Sequence, residues 1–313
     1  MGRSTLYDAS KDISSLAGKV IFITGGTAGL GRETILSFAA HEPGHIYFSG
    51  RSQSSADKLI TEVITRHPDV KVSFVKIDQA DLASVKSAAK EFRAKESRLD
   101  VLMANAGIMA VPAGLTKDGY EIQFGTNHVG HALLAELLTP LMEATAQKTG
   151  DARVIWTTSL GYKVAPKGGI LFSKLKTEQR DISPLMGEWL RYGQSKLANL
   201  LYAREYAKHH PTITSVSIHP GVSATSLVRS LGWFNIAFIY ATSWTKMISP
   251  EECAWNQQWA ATAPVGKGEK EVISGEYYEP VAVHVKPSGD GANDKLAEEL
   301  WRWTEKQLEI WLQ

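Results

Sequence analysis

Residues 19–31 read Lys19-Val20-Ile21-Phe22-Ile23-Thr24-Gly25-Gly26-Thr27-Ala28-Gly29-Leu30-Gly31 and decide the fold. The apolar, β-branched run over 19–24 is typical of a strand that is buried on both faces. The glycines that follow allow positive φ angles and a close approach of the backbone to another molecule. A helical period begins at residue 30, and a helix start offers free N–H groups and a partial positive charge to a phosphate. The stretch therefore indicates either a pyrophosphate-binding turn or a tight strand-to-helix turn without a ligand.

The alternation of strand and helix continues along the whole chain. The predicted strands are 19–24, 46–49, 72–77, 101–104, 154–159, 213–218 and, more weakly, 276–283. The predicted helices are 30–40, 56–66, 82–95, 120–147, 188–209, 249–263 and 294–312. Strands joined through helices in this way form right-handed crossovers and a parallel sheet. We therefore predict an α/β fold with one doubly wound Rossmann domain over 1–313, a parallel sheet of about seven strands, helices on both faces, and insertions at 160–187 and about 222–248.

The composition is that of an ordinary globular protein. The 313 residues are 43% hydrophobic and 21% charged, which excludes disordered and disulfide-rich proteins. Lys and Arg number 34 against 33 Asp and Glu, so there is no basic footprint for a nucleic acid. No apolar run reaches the length of about 18 residues that a membrane span needs. The single cysteine, Cys253, suits a reducing compartment, so we expect a cytoplasmic protein.

The end of the second predicted strand carries information on a nucleotide. In doubly wound folds, an acid about 20 residues beyond the glycine loop binds the ribose 2′-hydroxyl of NAD, whereas an arginine accommodates the 2′-phosphate of NADP. Here the strand ends Ser49-Gly50-Arg51-Ser52, and residues 45–56 contain no acid. Arg51 is either the ligand of that phosphate or an ordinary surface arginine. The pattern favours NADP(H).

A tyrosine and a lysine share one face of the predicted helix 188–209. Tyr192 and Lys196 are four positions apart, so their side chains point the same way. A free tyrosine has a pKa near 10 and is a weak base at neutral pH. A neighbouring ammonium favours the phenolate by roughly 4 kcal/mol before desolvation losses, which lowers the pKa of the phenol toward the working range. The pair by itself is equally compatible with a solvated helix face.

Several further motifs stand at the ends of predicted strands and helices. In chain order they are the glycine loop 24–31, Asp78, Asn105-Ala106-Gly107, Asn127, Ser159, Tyr192-x3-Lys196, and Pro220-Gly221 with Thr225. In this order and over about residues 18–225 the chain resembles the short-chain dehydrogenase/reductase family, in the branch of retinol-dehydrogenase-like carbonyl reductases. Ser159 and Tyr192 are further apart than the dozen or so residues usual in that family, which leaves the substrate class open.

The resemblance implies roles for the matching residues. Those implied to be catalytic are Asn127, Ser159, Tyr192 and Lys196. Tyr192 would exchange a proton with the substrate oxygen, while Lys196 would lower its pKa and hold the nicotinamide ribose. Ser159 would orient the reacting carbonyl, and Asn127 would anchor a water. The residues implied to bind the cofactor are Gly25, Thr27, Gly29, Leu30, Gly31, Arg51, Asp78, Asn105, Gly107, Tyr192, Lys196, Val222 and Thr225.

Some of these residues also have plainer interpretations. Asp78, implied to contact the adenine, could cap a turn instead, and Asn127 could be an exposed helix residue. Thr158 competes with Ser159, because a shift of one residue exchanges which side chain faces the cleft. His219 is expected to be a packed histidine at a strand end, whereas helix-face positions are expected for His128 and His131. No cluster of His, Cys and acidic residues has metal-ligand spacing, so no metal is expected.

Two insertions bear on the substrate and the surroundings. The first, 160–187, carries five cations and is either a solvated loop or a segment attracted to a membrane surface. The second, about 222–248, contains the apolar run 231–240, which a family member would place over the cleft as a lid. A core-packed helix and an interfacial anchor are the alternatives. The Trp-rich helix 294–312 could pack on the body or on a second subunit, so a homo-oligomer stays open.

These expectations combine into a function. So apolar a lid favours a bulky hydrophobic ketone, aldehyde or alcohol as the substrate. The resemblance implies an NADP(H)-dependent oxidoreductase that interconverts a carbonyl and an alcohol, chiefly in the reductive direction. The alternatives are an epimerase or lyase of the same family that retains its cofactor, and a non-catalytic NADP-binding regulator.

Overall fold

The sheet of this computed structural model, which describes residues 7–222, 248–266, 268 and 271–313, is built on the first predicted strand. Its strands are β1 (Val20–Ile23), β2 (His45–Gly50), β3 (Val72–Lys76), β4 (Val101–Ala104), β5 (Arg153–Thr157), β6 (Thr214–Ile218), β7 (Tyr277–Glu279) and β8 (Val283–His284). Their order is β3-β2-β1-β4-β5-β6-β7-β8, and every pairing except β7 with β8 is parallel. The α/β, doubly wound prediction is confirmed, with eight strands among the described residues where about seven were expected.

The helices cover both faces of this sheet. They are α1 (Ala9–Asp12), α2 (Gly29–Ala39), α3 (Gln53–Arg66), α4 (Leu82–Lys95), α5 (Ile122–Phe124), α6 (Gly130–Thr149), α7 (Gly187–His209), α8 (Pro250–Thr262) and α9 (Asp294–Leu312). One apolar core joins the sheet to α4, α6, α7 and α9, and a second joins it to α2, α3 and α8. Successive residues of β1 alternate between the two, since Phe22 belongs to the first core and Ile21 and Ile23 to the second.

The last predicted strand, 276–283, is wrong in detail, because the chain turns back within it. Ala282 takes a φ of 63°, in the left-handed region, and its N–H donates to Asn256 Oδ1 at 3.0 Å. Asn256 Nδ2 in turn donates to the carbonyls of His219 at 2.8 Å and Tyr278 at 3.1 Å. A single buried amide on α8 thus holds both this turn and the end of β6, a long-range contact that strand periodicity does not reveal.

The helix predicted over 120–147 is interrupted. A π-helical turn, Gly125–Val129, separates α5 from α6. Such turns are rare and occur often at functional sites. Asn127 lies in this turn and is fully buried rather than exposed.

The C-terminal helix α9 packs on the body of the chain. Trp301 is buried, and its ring stacks on those of Tyr202 and His209, with centroids 4.9 and 4.2 Å apart. His128 Nε2 lies 3.0 Å from the hydroxyl of Thr304 on α9. His128 is therefore fully buried between helices, and not simply on a helix face as its place in the sequence suggested. Within the described ranges, no helix combines the length and the apolar character needed to cross a bilayer.

Thr225 and nearly all of the predicted lid, 222–248, lie outside the described residues. At its two edges, Ile248 N–H donates to the carbonyl of Val222 at 3.0 Å. The prediction of a lid therefore stays a prediction.

Candidate active site

The glycine loop between β1 and α2 forms a cradle at the start of a helix. Gly25 and Gly29 take φ angles of 68° and 55°, which favour glycine. A Cβ on Gly31 would lie 2.5 Å from the carbonyl oxygen of Gly25, so only glycine fits there without movement. The N-cap residue of α2, Ala28, provides no side-chain cap, and the first turn holds no acid. The N–H groups of this turn therefore suit an anionic ligand such as a pyrophosphate.

The end of β4 holds the loop in place. Asn105 Nδ2 donates to the carbonyl of Thr24 at 2.8 Å. The N–H groups of Asn105 and Ala106 donate to Thr24 Oγ1 at 2.9 and 3.0 Å. A Cβ on Gly25 would lie 2.9 Å from Ala106 Cα. Asn105, expected beside a ribose, thus also fixes the loop backbone.

His131 connects the loop to the π turn, which the sequence did not reveal. Its Nδ1 lies 2.9 Å from the carbonyl of Asn127 and its Nε2 lies 2.8 Å from Thr24 Oγ1. Burial lowers the pKa of His131 to about 4, so the ring is neutral. The Nδ1–H group then donates a hydrogen bond to the carbonyl of Asn127, and Nε2 accepts a hydrogen bond from the Thr24 hydroxyl. The only signal in the sequence was a polar histidine directly before the apolar run 132–135.

Arg51 stands beside the same loop. It is exposed and directly follows β2. A Cβ on the preceding Gly50 would lie 3.1 and 3.2 Å from the side-chain atoms of Thr27. This close approach brings Thr27 of the glycine loop to the end of β2, next to Arg51. A cation at this place suits a second phosphate.

Asp78, between β3 and α4, caps a turn. Its Oδ1 accepts from Ala80 N–H at 3.0 Å, and its own N–H donates to Ser84 Oγ at 3.1 Å. The plainer interpretation of Asp78 thus describes its contacts here, and its contact with an adenine stays a prediction. Within the part of the chain that the structure describes, no group of three or more His, Cys, Asp or Glu could hold a metal ion.

Tyr192 and Lys196 lie on α7, buried, beyond the carboxyl end of β5. Lys196 Nζ donates to the carbonyl of Thr157 at 2.9 Å and lies 5.9 Å from the centroid of the Tyr192 ring. The structure therefore brings the two side chains together, as their spacing predicts. Parallel sheets bind ligands at this edge.

Ser159, and not Thr158, faces the tyrosine. Ser159 Oγ accepts from Gly161 N–H at 3.0 Å, and both Ser159 Oγ and the Tyr192 ring lie next to Gly161. Thr158 Oγ1 instead donates to the carbonyl of Lys196 at 2.6 Å and is buried against α7. A Cβ on Gly161 would lie 2.9 Å from the Tyr192 ring, so glycine here lets the ring approach.

Burial controls the protonation of this pair. It raises the pKa of Tyr192 to about 12, against the opposite effect of the neighbouring Ser159 hydroxyl. Burial also lowers the pKa of Lys196 to about 8. The sequence led us to expect a lowered tyrosine pKa, but here desolvation outweighs an ammonium that is 5.9 Å from the ring and directed at a carbonyl. At neutral pH Tyr192 is therefore a phenol with a proton to donate.

Asn127 holds the segment that follows β4. Its Nδ2 donates to the carbonyl of Ile108 and to Ser195 Oγ, both at 2.9 Å, and its Oδ1 accepts from Ile108 N–H at 2.8 Å. A Cβ on Gly107 would lie 3.2 Å from Asn127 Oδ1 and 3.5 Å from Lys196 Nζ. Gly107 thus allows the amide and the ammonium to stand close together. The water expected on Asn127 stays a prediction.

The insertion 160–187 is fastened to α7 by buried amides. Gln194 Oε1 accepts from Leu171 N–H at 2.8 Å, and Gln194 Nε2 donates to Gln179 Oε1 at 3.2 Å. Its apolar side chains Tyr162, Ile170 and Leu175 join the first core. The five cations lie at its outer side, where Lys174 pairs with Asp181 and Arg180 with Glu178. The insertion is therefore a packed layer with a charged outer face.

Arg191, next to the tyrosine, joins three segments and was missed in the sequence. Its Nη1 donates to the carbonyl of Gln179 at 3.4 Å, and its Nη2 donates to that of Val111 at 3.3 Å. Its Nε lies 3.3 Å from Glu121 Oε1, and both side chains are buried. The side chain thus ties the insertion, the segment after β4 and the start of α5 to the helix of Tyr192.

Comparisons with known proteins identify the family and the fold. The family model of the short chain dehydrogenases matches residues 19–176. An uncharacterized oxidoreductase of Schizosaccharomyces pombe is 36% identical over 307 residues, which are 95% of this chain and 87% of that protein. The crystal structure of an uncharacterized protein from Mycobacterium paratuberculosis is 27% identical, with a TM-score of 0.72 over 97% of both chains. The L-sorbose reductase of Gluconobacter frateurii, solved with NADPH and L-sorbose, is 20% identical, with a TM-score of 0.64 over 88% of this chain and 100% of that chain.

Proposed function

Because the chain belongs to the short-chain dehydrogenase/reductase family of oxidoreductases, we propose that it uses NADP(H) to interconvert a carbonyl and an alcohol on a bulky, hydrophobic small molecule, with reduction as its main direction. One observation carries the proposal. Ser159 and Tyr192 flank the same point beyond the carboxyl end of β5, because a Cβ on Gly161 would lie 3.3 Å from Ser159 Oγ and 2.9 Å from the Tyr192 ring, and Lys196 is buried beside them. A carbonyl oxygen at this point meets two hydroxyl groups at once.

The residues that would hold the cofactor follow the edge of the sheet. The N–H groups around Gly29 suit its pyrophosphate. Arg51 and Thr27 would receive the 2′-phosphate, and the nicotinamide end would reach Tyr192 and Lys196. The complete proposed set is Gly25, Thr27, Gly29, Leu30, Gly31, Arg51, Asp78, Asn105, Gly107, Tyr192, Lys196, Val222 and Thr225. The chemistry that a bound nicotinamide would supply is hydride transfer, to the carbonyl carbon in reduction and from the alcohol carbon in oxidation.

Tyr192 supplies the proton for reduction. Hydride addition at carbon leaves negative charge on the substrate oxygen, and this oxygen must gain a proton. The pKa of Tyr192, raised to about 12 by burial, keeps the phenol protonated at neutral pH. Ser159, held by Gly161 N–H, orients the oxygen, while Lys196 adds positive charge nearby. Asn127 is proposed as the fourth catalytic residue, through the backbone and side chains that it positions.

The choice of NADP over NAD rests on Arg51 and on the absence of an acid in 45–56. The L-sorbose reductase named above carries NADPH in its structure. The cytoplasmic location and the reductive direction remain predictions.

The proposal is tested by following NADPH oxidation with a panel of hydrophobic ketones and aldehydes, and with NADH in parallel. We expect stoichiometric NADPH consumption with at least one carbonyl and a clear preference for NADPH. Product formation without net NADPH consumption would indicate the retained-cofactor epimerase or lyase instead. Tight NADPH binding without turnover of any member of the panel would indicate a regulator.

The cofactor preference has its own variant. Arg51→Asp replaces the phosphate ligand by a repelling carboxylate, so we expect the ratio of kcat/KM for NADPH to that for NADH to fall roughly tenfold or more. Lys90→Asp, on the exposed side of α4, changes the net charge equally and should leave the ratio unaltered. An unaltered ratio in Arg51→Asp would remove Arg51 as the selecting residue.

A further inference from the structure

A short segment after β4 is fixed at both ends beside the tyrosine. At one end, the N–H of Ile108 donates to Asn127 Oδ1 at 2.8 Å, and the carbonyl of Ile108 accepts from Asn127 Nδ2 at 2.9 Å. At the other end, the carbonyl of Val111 accepts from Arg191 Nη2 at 3.3 Å. Between them Ala110 takes a φ of 46°, a left-handed conformation that is uncommon for alanine. The flanking hydrogen bonds hold this conformation, so residues 108–111 form a wall of defined shape.

The inner side of this wall is apolar. Met109, Ala110 and Tyr192 form a buried cluster separate from the two cores of the sheet, and Trp189 and Val222 pack on it half-buried. Among the residues that the structure describes, this cluster of five lies apart from both cores of the sheet. Because Tyr192 is one of its members, the cluster provides an apolar surface for the part of a substrate next to the reacting carbonyl.

Trp189 supplies the largest apolar side chain of this cluster. It precedes Tyr192 by three residues on α7, so the two side chains share a helix face. Their rings meet edge to face, with centroids 6.2 Å apart and planes at 88°. A group that projects from a carbonyl at Tyr192 along this face meets the indole.

The charged side chain nearest in sequence to the tyrosine is turned elsewhere. Arg191 directs its guanidinium at Glu121 and at the carbonyls of Gln179 and Val111. Its positive charge is therefore paired with these groups and is not directed at the apolar cluster. A hydroxylated substituent placed against the side chains of Met109 and Ala110 would lose hydrogen bonds to water that these apolar side chains cannot replace, which costs binding energy.

We propose that Met109, Ala110 and Trp189 form an apolar subsite that binds an aromatic or branched alkyl group attached to the carbonyl carbon. The inference rests on the proposed function, which puts the carbonyl at Tyr192. It adds that these three residues recognise the group attached to the carbonyl carbon. The subsite selects an aryl or branched alkyl ketone over a hydroxylated ketone of similar reactivity.

The experiment measures binding without turnover. The full chain is titrated with NADP⁺ and then with acetophenone or hydroxyacetone, by calorimetry, because NADP⁺ cannot reduce either ketone. The variants are Trp189→Ala, Trp189→Phe and, as a matched control on α9 far from the site, Trp311→Ala. A parallel titration of the ketones without NADP⁺ reports on the subsite alone.

We expect the wild type to bind acetophenone more tightly than hydroxyacetone. Trp189→Ala should weaken acetophenone binding roughly tenfold or more, Trp189→Phe should recover most of it, and Trp311→Ala should not change it. NADP⁺ binding should be the same in all four proteins, which also shows that each is folded. Equal binding of the two ketones by the wild type, or an equal loss for both ketones in Trp189→Ala, would overturn the subsite. Failure of NADP⁺ itself to bind would count against the proposed function instead.

Discussion

The cofactor side and the substrate side of this site are built in different ways. On the cofactor side, the loop before α2 is shaped by residues without side chains, and a Cβ on Gly31 would lie 2.5 Å from the Gly25 carbonyl. On the substrate side, the wall 108–111 and the insertion 160–187 are held by long polar side chains, chiefly Arg191 and Gln194. In the first construction close backbone packing sets the shape of the loop, and Asn105 and His131 hold that loop at Thr24. The second depends on buried hydrogen bonds between segments that are distant in sequence. Such a network has one arrangement, and the loss of a single hydrogen-bond partner weakens it.

The largest effect is expected from disturbing the backbone cradle. Gly31→Ala places a methyl group 2.5 Å from the Gly25 oxygen and 2.8 Å from Asn105 Nδ2. The loop must shift to relieve a contact of this kind, which costs about 1–3 kcal/mol. NADPH affinity, measured by quenching of protein fluorescence, should fall roughly a hundredfold.

The control for this variant is Gly114→Ala. An added Cβ there meets nothing closer than 4.0 Å, and no left-handed φ is required. Its NADPH affinity should equal that of the wild type. If Gly31→Ala binds NADPH as tightly as Gly114→Ala does, the cradle is not the binding site.

A smaller effect is expected on the substrate side, and it depends on pH. Burial raises the pKa of Glu121 from its ordinary 4.5 to about 6, so folding favours the neutral acid. This contribution to the free energy of unfolding is present below about pH 4.5 and is lost as the pH rises through 6, with a size of about 2 kcal/mol. Glu121→Gln keeps a neutral group at all pH values and should therefore lack this loss.

The measurement is urea unfolding of the wild type and Glu121→Gln at pH 4.5 and pH 7. The wild type should lose about 2 kcal/mol more than the variant between the two values. Glu91→Gln, which removes an exposed pair with Lys95, should change in parallel with the wild type. If the free energy of unfolding of Glu121→Gln changes with pH as that of the wild type does, Glu121 titrates normally and its pair with Arg191 is not desolvated.

The same contrast explains what the sequence could predict. The order of strands and helices follows from hydrophobic periodicity, and the place of Tyr192 beside Lys196 follows from helix geometry. The glycine loop was found because glycine spacing is a local property. The choice between Ser159 and Thr158 needed the strand register, which only the packed sheet supplies.

Other features depended on contacts across the chain. The clamp of Arg191 on Val111 and Gln179 joins segments that are distant in sequence, and polar residues within a helix usually indicate a solvated face. The reversal at Ala282 depends on the amide of Asn256. The raised pKa of Tyr192 also could not be read from spacing, because desolvation is a property of the finished site.

The central claim is that the Tyr192 hydroxyl donates the proton to the substrate oxygen, and Tyr192→Phe tests it most directly. The variant removes one oxygen atom and keeps the ring that packs on Met109 and Trp189. The control, Tyr120→Phe, removes a hydroxyl that donates to Gln307 at 3.3 Å. With a ketone that the wild type reduces, we predict that Tyr192→Phe binds NADPH within about threefold of the wild type while kcat falls by roughly a hundredfold or more, and that Tyr120→Phe retains full turnover. An unchanged kcat in Tyr192→Phe would contradict the account.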